Sequence, residues 1–199
     1  MAARHFLVVL AHPLSESFAA SAARLVVETL QAKGYTVDLL DLYAEDFDPR
    51  LTAAERAAYM EPNYQPIEVS VLVQRLKAAD GLVLVFPQWW FNLPAIMKGF
   101  IDRVFVPGVA FEHDKAGGRI VPLMTDIRTF WVVTSTGSPW WVVHLYMGNP
   151  VKRILKRGVA PFCARSVDFR MLEIHDMDRA TEAKREGFLA KVRVAFASI

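Results

Sequence analysis

The sequence predicts an α/β fold: a five-stranded parallel sheet with helices on both faces. Three observations carry this. Five short apolar runs of strand length alternate with segments of helical periodicity. The first and third runs, Phe6-Leu7-Val8-Val9-Leu10-Ala11 and Gly81-Leu82-Val83-Leu84-Val85-Phe86, are apolar without alternation, as in strands buried on both faces. Turns rich in proline, serine and aromatic residues follow the strands, on the side where open α/β sheets bind ligands.

The elements are expected in this order. A first strand covers residues 6–11, and a loop, His12-Pro13-Leu14-Ser15-Glu16-Ser17, follows it. A helix over 18–33 carries Ala22, Leu25, Val26 and Leu30 on one stripe, and Gly34 ends it. A second strand covers 36–40. In the polar connection 41–50, Asp48-Pro49 favours a turn. Thr52 with Glu55 three residues on has capping-box spacing for a short helix. Residues 61–66, with two prolines and an Asn, read as a surface loop. A helix over 69–79 leads into the third strand, 81–86. A further helix over 94–105 puts Ile96, Phe100, Ile101 and Val104 on one face, and Pro107-Gly108 stops it. Residues 109–128 read as irregular, with Gly117-Gly118 and a short strand near Ile120. The fourth strand covers 129–134, and Ser135-Thr136-Gly137-Ser138-Pro139 forms a polar turn. The apolar, aromatic stretch 140–147 fits helix and strand equally. A helix over 150–157, a fifth strand over 166–169 and a helix over 178–197 complete the chain. There are no internal repeats.

Right-handed crossovers leave few topologies for such a chain. The strand order 2-1-3-4-5 of a three-layer sandwich places its ligand at the switch between strands one and three. The loops 12–17, 87–92 and 135–138 are then expected to converge.

Composition narrows the class. The 199 residues suit one domain over 1–199, and 53% of them are hydrophobic. No apolar run nears the roughly 20 residues of a membrane helix, so no membrane span is expected. The start, Met1-Ala2-Ala3-Arg4-His5-Phe6, lacks a signal-peptide layout. The excess of apolar residues points to a buried oligomer interface, and a sheet buried on both faces accounts for part of it. Cys163 is the one cysteine, so no intrachain disulfide or cysteine metal cluster forms, and a cytoplasmic location fits. A formal charge of +2 gives no ground for a nucleic-acid partner.

The chemistry concentrates in the three loops. Phe86-Pro87-Gln88-Trp89-Trp90-Phe91-Asn92-Leu93-Pro94-Ala95 puts flat aromatic faces on a proline-stiffened turn, a seat for a planar ring. The same aromatics would also plug a core or an interface. Ser15, Ser17 and His12 stand beside a helix N-terminus, which favours phosphate; a plain N-cap accounts for the serines equally. The loop contains no glycine and is no dinucleotide fingerprint. Ser135 to Ser138 would let backbone N–H groups approach a ligand closely. Phosphate cradle, ring seat and polar edge are the three parts a flavin mononucleotide moiety needs.

Residues 5–165 resemble, in order, the NAD(P)H:quinone oxidoreductases, DT-diaphorase-like flavoproteins of flavodoxin-like fold. Leu7-Val8-Val9-Leu10-Ala11-His12-Pro13 with Ser17-Phe18 resembles that family's opening. Pro87-Gln88-Trp89-Trp90-Phe91-Asn92-Leu93-Pro94-Ala95-Ile96-Met97-Lys98-Gly99, then Asp102-Arg103-Val104-Phe105, resembles its signature around the flavin, and Thr134-Ser135-Thr136-Gly137 its Thr-Thr-Gly turn. The resemblance implies a homodimer that moves two electrons from NAD(P)H through FAD or FMN to a quinone-like acceptor, in ping-pong order. It implies that His12, Ser17 and Phe18 hold the phosphate side of the flavin. Pro87, Gln88, Trp89, Trp90 and Phe91 would line its ring, and Ser135, Thr136, Gly137 and Ser138 would meet the pyrimidine edge. Ala19 stands where FAD-binding relatives often carry Asn, which leaves FAD and FMN both open. His144 and Tyr146 lie where the family has its proton-handling pair, and packing at a dimer surface is the alternative for both. His5, His113 and His175 lack ligand spacing, so no metal is expected. Lys152, Arg153, Lys156 and Arg157 read as a solvated helix face, with contact to the phosphate of a nicotinamide cofactor as the alternative. A regulatory or ancillary subunit of a potassium-efflux-type membrane system is the rival reading. A simple electron-carrier flavodoxin is disfavoured, because such carriers are typically acidic.

Overall fold

The computed structural model describes residues 4–59, 61, 64–114 and 118–199. Five parallel strands build the main sheet: β1 (His5–Leu10), β2 (Thr36–Asp41), β3 (Gly81–Pro87), β6 (Thr129–Ser135) and β7 (Asp168–Ile174). Their spatial order is β2-β1-β3-β6-β7. Counting only the five parallel strands, this is the expected 2-1-3-4-5. The short strands β4 (Phe111–His113) and β5 (Ile120–Pro122) pair antiparallel outside that sheet. The stretch read as irregular therefore contains a small ribbon, one strand of which is the segment expected near Ile120. Of the Gly117-Gly118 pair, Gly117 lies outside the described residues, as do Pro62 and Asn63 of the expected surface loop.

Alternation along the central strands splits the core into two layers. Phe6, Val8 and Leu10 of β1 and Val83 and Val85 of β3 face α1 (Phe18–Ala32) and α6 (Glu182–Ala197). Leu7, Val9, Leu82, Leu84 and Phe86 face α3 (Ser70–Lys77) and α4 (Ala95–Val104) on the other side. With helices on both faces, β1 and β3 must be apolar at every position, which is why they read as continuous runs. Gly81 opens β3 because a Cβ there would lie 2.3 Å from the Phe6 ring.

The local signals act as their chemistry requires. Ser17 caps α1, its side chain accepting from the Ala20 amide at 3.1 Å. Gly34 follows the helix at φ +81°, the left-handed conformation in which a side chain is strained. Thr52 and Glu55 form the full capping box of α2 (Ala53–Ala58).

Three expected boundaries move. The fifth parallel strand runs to Ile174, past the expected 169, because β7 is an edge strand whose polar residues, Arg170 and Glu173 among them, break the apolar run. The last helix starts at Glu182 rather than 178: Met177–Arg179 is a separate 3₁₀ turn, and Thr181 is the true cap, accepting from Lys184. The expected helix over 150–157 is α5 (Pro150–Ile154) running into a π-helical turn, Leu155–Val159. The ambiguous stretch 140–147 holds a second π-helical turn, Val142–Tyr146. No helix among the described residues is long and apolar enough to cross a membrane.

Candidate functional site

β3 ends at Pro87 and the chain reverses within five residues. Trp89 and Asn92 exchange backbone hydrogen bonds, Trp89 N to Asn92 O at 3.1 Å and Asn92 N to Trp89 O at 3.0 Å. The two residues between them, Trp90 and Phe91, are both left-handed, with φ of 53° and 57°. This is the backbone of a two-residue primed hairpin, normally filled by Asn-Gly. Two aromatic residues there cost about 1–2 kcal/mol each. Strain of this kind persists where the surroundings over-determine it, and it clusters at functional sites. Asn92 steadies the exit, its Oδ1 accepting from the Leu93 amide at 2.8 Å, and α4 begins at Ala95. The amides of Trp90 and Phe91 have no partner among the described residues. The Trp90 side chain is 95% exposed.

The other two loops meet this hairpin. The Gln88 amide donates to Ser135 O at 2.7 Å, joining the ends of β3 and β6. The Trp89 and His12 rings lie 6.0 Å apart, joining the hairpin to the loop after β1. Loops 12–17, 87–92 and 135–138 therefore converge, at the carboxyl edge of β1, β3 and β6.

The loop after β1 is tightly determined. His12 Nδ1 accepts from the Leu14 amide at 3.0 Å, so the neutral ring carries its proton on Nε2. Ser17 is both the N-cap of α1 and the residue nearest its positive end. Arg24, one and a half turns along α1, donates to Ser15 O at 3.1 Å and to Ser21 Oγ at 3.2 Å, adding a cation beside the loop. Phe18 is half-buried, with its ring 6.0 Å from Phe188 of α6.

After β6, Thr136 is buried and bound on both sides, its amide donating to Ile174 O and its carbonyl accepting from Met177. Ser138 N donates to Thr136 Oγ1 at 3.3 Å. A Cβ on Gly137 would lie 2.2 Å from Asp178 Oδ2, so the carboxylate occupies the space a side chain would need.

The expected proton-handling pair divides. His144 stacks on Trp140 (ring centroids 4.9 Å, 15° between planes), with Nε2 3.4 Å from Glu173 Oε2. Tyr146, two residues on, is 81% exposed. Glu173 is almost fully buried and accepts from Asn149 Nδ2 at 3.0 and 3.2 Å and from Gln88 Nε2 at 3.4 Å. One carboxylate thus links His144, the base of the aromatic hairpin and the cap of α5. Beside it, burial pushes the His175 imidazole pKa down, and His144 and Lys184 push the same way, while Glu173 and Asp176 oppose them. In the segment before β7, burial lifts the Cys163 thiol to about 12, so the free thiol stays protonated at neutral pH. Arg153, Lys156 and Arg157 are exposed, as expected of a solvated face.

Glu173, Asn149 and Arg24 were missed from sequence. Asn149 had a signal: Gly148-Asn149-Pro150 places a left-handed cap before a proline at the first helical position, with Asn149 at φ 46°. Glu173 carries no such signal, because the polar residues of edge strand β7 break the apolar run that marks a strand.

The comparisons with known proteins agree with this architecture. A family model described as flavodoxin-like fold matches residues 4–195. The chain is 36% identical over 197 residues to rat (Rattus norvegicus) NAD(P)H dehydrogenase [quinone] 1, covering 87% of this chain and 68% of that protein. It is 36% identical over 113 residues to the Escherichia coli (strain K12) protein named uncharacterized NAD(P)H oxidoreductase YcaK, covering 56% of this chain and 57% of that one. The crystal structure of Smu.1420 from Streptococcus mutans UA159 superposes with a TM-score of 0.83 at 30% identity, over 98% of this chain and 100% of that one. The chain belongs to the flavodoxin-like family, in the branch of the NAD(P)H:quinone oxidoreductases. It spans about half the length of the first curated relatives it matches.

Proposed function

We propose that residues 1–199 form one flavin-binding domain that acts as an NAD(P)H-dependent quinone oxidoreductase. The observation that carries this reading is the hairpin at Trp90 and Phe91: a strained aromatic turn with two unpartnered amides, beside the positive end of α1. The donor set suits a flavin, because unpartnered backbone N–H groups match the carbonyls and ring nitrogen of an isoalloxazine, and a capped helix N-terminus matches its phosphate. His12, Ser17 and Phe18 would hold the phosphate side. Pro87, Gln88, Trp89, Trp90 and Phe91 would seat the ring, and Ser135 to Ser138 would meet its pyrimidine edge. A flavin held by these loops would supply hydride acceptance from NAD(P)H and two-electron transfer to the acceptor. The protein orients the rings, excludes water and supplies protons, with His144 and Tyr146 as the groups that hold them. His144 is oriented by Glu173; Tyr146, exposed in one chain, would be enclosed by a second copy. Trp140, Trp141, Leu145 and Tyr146 are all more than half exposed, which supports a symmetric homodimer completing the pocket. A quinone-like acceptor and a cytoplasmic setting complete this reading. Nothing in the fold, the site or the relatives supports the potassium-efflux subunit reading.

The test is direct. Purified protein should show flavin absorbance, with FMN or FAD released on denaturation, and anaerobic NADH or NADPH should bleach it. Initial rates at several fixed quinone concentrations should give parallel double-reciprocal lines; intersecting lines would rule out one pocket used in turn. Trp90→Ala should weaken flavin binding about tenfold, the size of one lost stacking contact. His12→Ala with Ser17→Ala should weaken FMN far more than riboflavin, which lacks the phosphate. Equal losses for the two ligands would assign these residues to helix capping alone.

A further inference from the structure

We propose that His144, Glu173 and His175 form a binding site for a divalent transition-metal ion of the zinc class. One ring nitrogen of each histidine and one carboxylate oxygen of Glu173 lie within 4.8 Å of one another. Of these separations, His144 Nε2 to Glu173 Oε2 is 3.4 Å. Two ligand atoms bound tetrahedrally to zinc at its usual bond lengths stand about 3.3 Å apart. That pair is thus already at coordination spacing, and His175 brings a third donor within 4.8 Å of both.

Four features separate this cluster from an incidental histidine–carboxylate contact. His175 Nδ1 is buried with no hydrogen-bond partner among the described residues, a costly state for a polar atom unless a ligand fills it. The His144 and His175 rings pack edge to face, at 74° with centroids 5.3 Å apart, close enough for one nitrogen of each to reach a shared ion. Glu173 is fixed by amide donors from Asn149 and Gln88, the outer-shell hydrogen bonding that orients metal-ligating carboxylates. Glu173 and His175 also line an open cavity of about 470 Å³ with Trp140, which gives an ion a way in. Linear spacing hides the site: a π-helical turn supplies His144, and the end of β7 supplies the other two, 29 and 31 residues further on.

Two imidazoles and one carboxylate suit Zn²⁺, Co²⁺ or Ni²⁺ and not Mg²⁺, which prefers an all-oxygen shell. Three protein ligands leave one tetrahedral position open. Bound metal would take His144 out of proton transfer, so zinc should slow quinone reduction by the loaded enzyme. That one consequence rests on the proposed function; metal binding does not.

The experiment is calorimetric titration of the purified protein with ZnCl₂ and, separately, MgCl₂. The expected result is one saturable zinc site per chain and no saturable magnesium heat. His175→Ala and Glu173→Gln should each weaken zinc at least tenfold, while His113→Ala, on the β4–β5 ribbon, should leave it unchanged. Circular dichroism verifies folding, and His175→Asn replaces any variant that fails it. No saturable zinc heat, or equal affinity in the wild type and both ligand variants, would overturn the proposal. Either result would leave the flavin experiments above unaffected, since titration reads binding with or without flavin.

Discussion

The segments after β3 and after β6 end on the same rim but are built differently. The first is a closed hairpin of four residues, with both ends hydrogen-bonded to each other and α4 following three residues later. The second winds from Ser135 to Asn149 through a π-helical turn, and side chains from other parts of the chain hold it in place. The hairpin is rigid by its own backbone and stores strain. The π segment is tied to β7 and the turn after it by backbone bonds at Thr136 and Ser138, and its far end is held by the contact of Asn149 with Glu173. A ligand ring resting on the first would find its donors pre-set. Groups on the second, His144 and Tyr146 among them, depend on partners that a substitution elsewhere can remove.

The largest expected effect tests the anchoring of α4, the helix that follows the hairpin. Arg103 of α4 is 5% exposed; it donates to Glu55 Oε1 through Nε at 2.8 Å and Nη2 at 2.6 Å, to Glu68 Oε2 at 2.8 Å and to Asp48 O at 2.6 Å. Removing one partner of a buried ion pair strands the other, so Arg103→Met should cost about 3 kcal/mol in urea unfolding. Replacing Arg103 and Glu55 together by apolar residues should recover most of that loss. If Arg103→Met costs less than the Asn149 change below, the β3 side is not the better anchored of the two.

The same contrast explains what the sequence made legible. Strands β1 and β3 are covered on both faces, and their continuous apolar runs leave one reading. The caps at Ser17 and Thr52 are local chemistry, visible three residues at a time. The convergence of the three loops follows from strand order alone. The left-handed conformation of Trp90 and Phe91 had no such signal, because nothing in their residue types announces a primed turn. The π turns at 142–146 and 155–159 have no apolar period to detect. The Glu173 network joins residues 24 to 85 positions apart, and the polar alternation of an edge strand concealed its centre.

A middle-sized effect tests the β6 side. Asn149 sits at φ 46°, caps α5 by accepting from Lys152 N at 3.1 Å, and donates to both oxygens of Glu173. Asn149→Ala loses a cap worth about 1 kcal/mol and forces alanine into the left-handed region at a further 1–2 kcal/mol or so. Asn149→Gly keeps the backbone conformation at little cost, so it should lose only about half as much. Equal losses for the two would mean that the cap and the Glu173 contact alone fix this segment and that backbone conformation contributes nothing.

The smallest effect on stability separates folding from ligand approach. At Gly137 an added Cβ would meet the Asp178 carboxylate at 2.2 Å, but Asp178 is exposed and can rotate away. Gly137→Ala should therefore cost under about 1 kcal/mol, the scale of one displaced rotamer, and Asp178→Ala should restore it. If the backbone of the turn also lies against a flavin's edge, any shift of the turn forced by the methyl group should lower flavin affinity much further than stability. Asp178→Ala, which frees the space the methyl group takes, should rescue both losses. Thermal unfolding and flavin titration on the same two variants decide the matter. Parallel changes in the two measurements would make Gly137 a packing glycine that accommodates Asp178, and would move the polar edge of the proposed site away from 135–138.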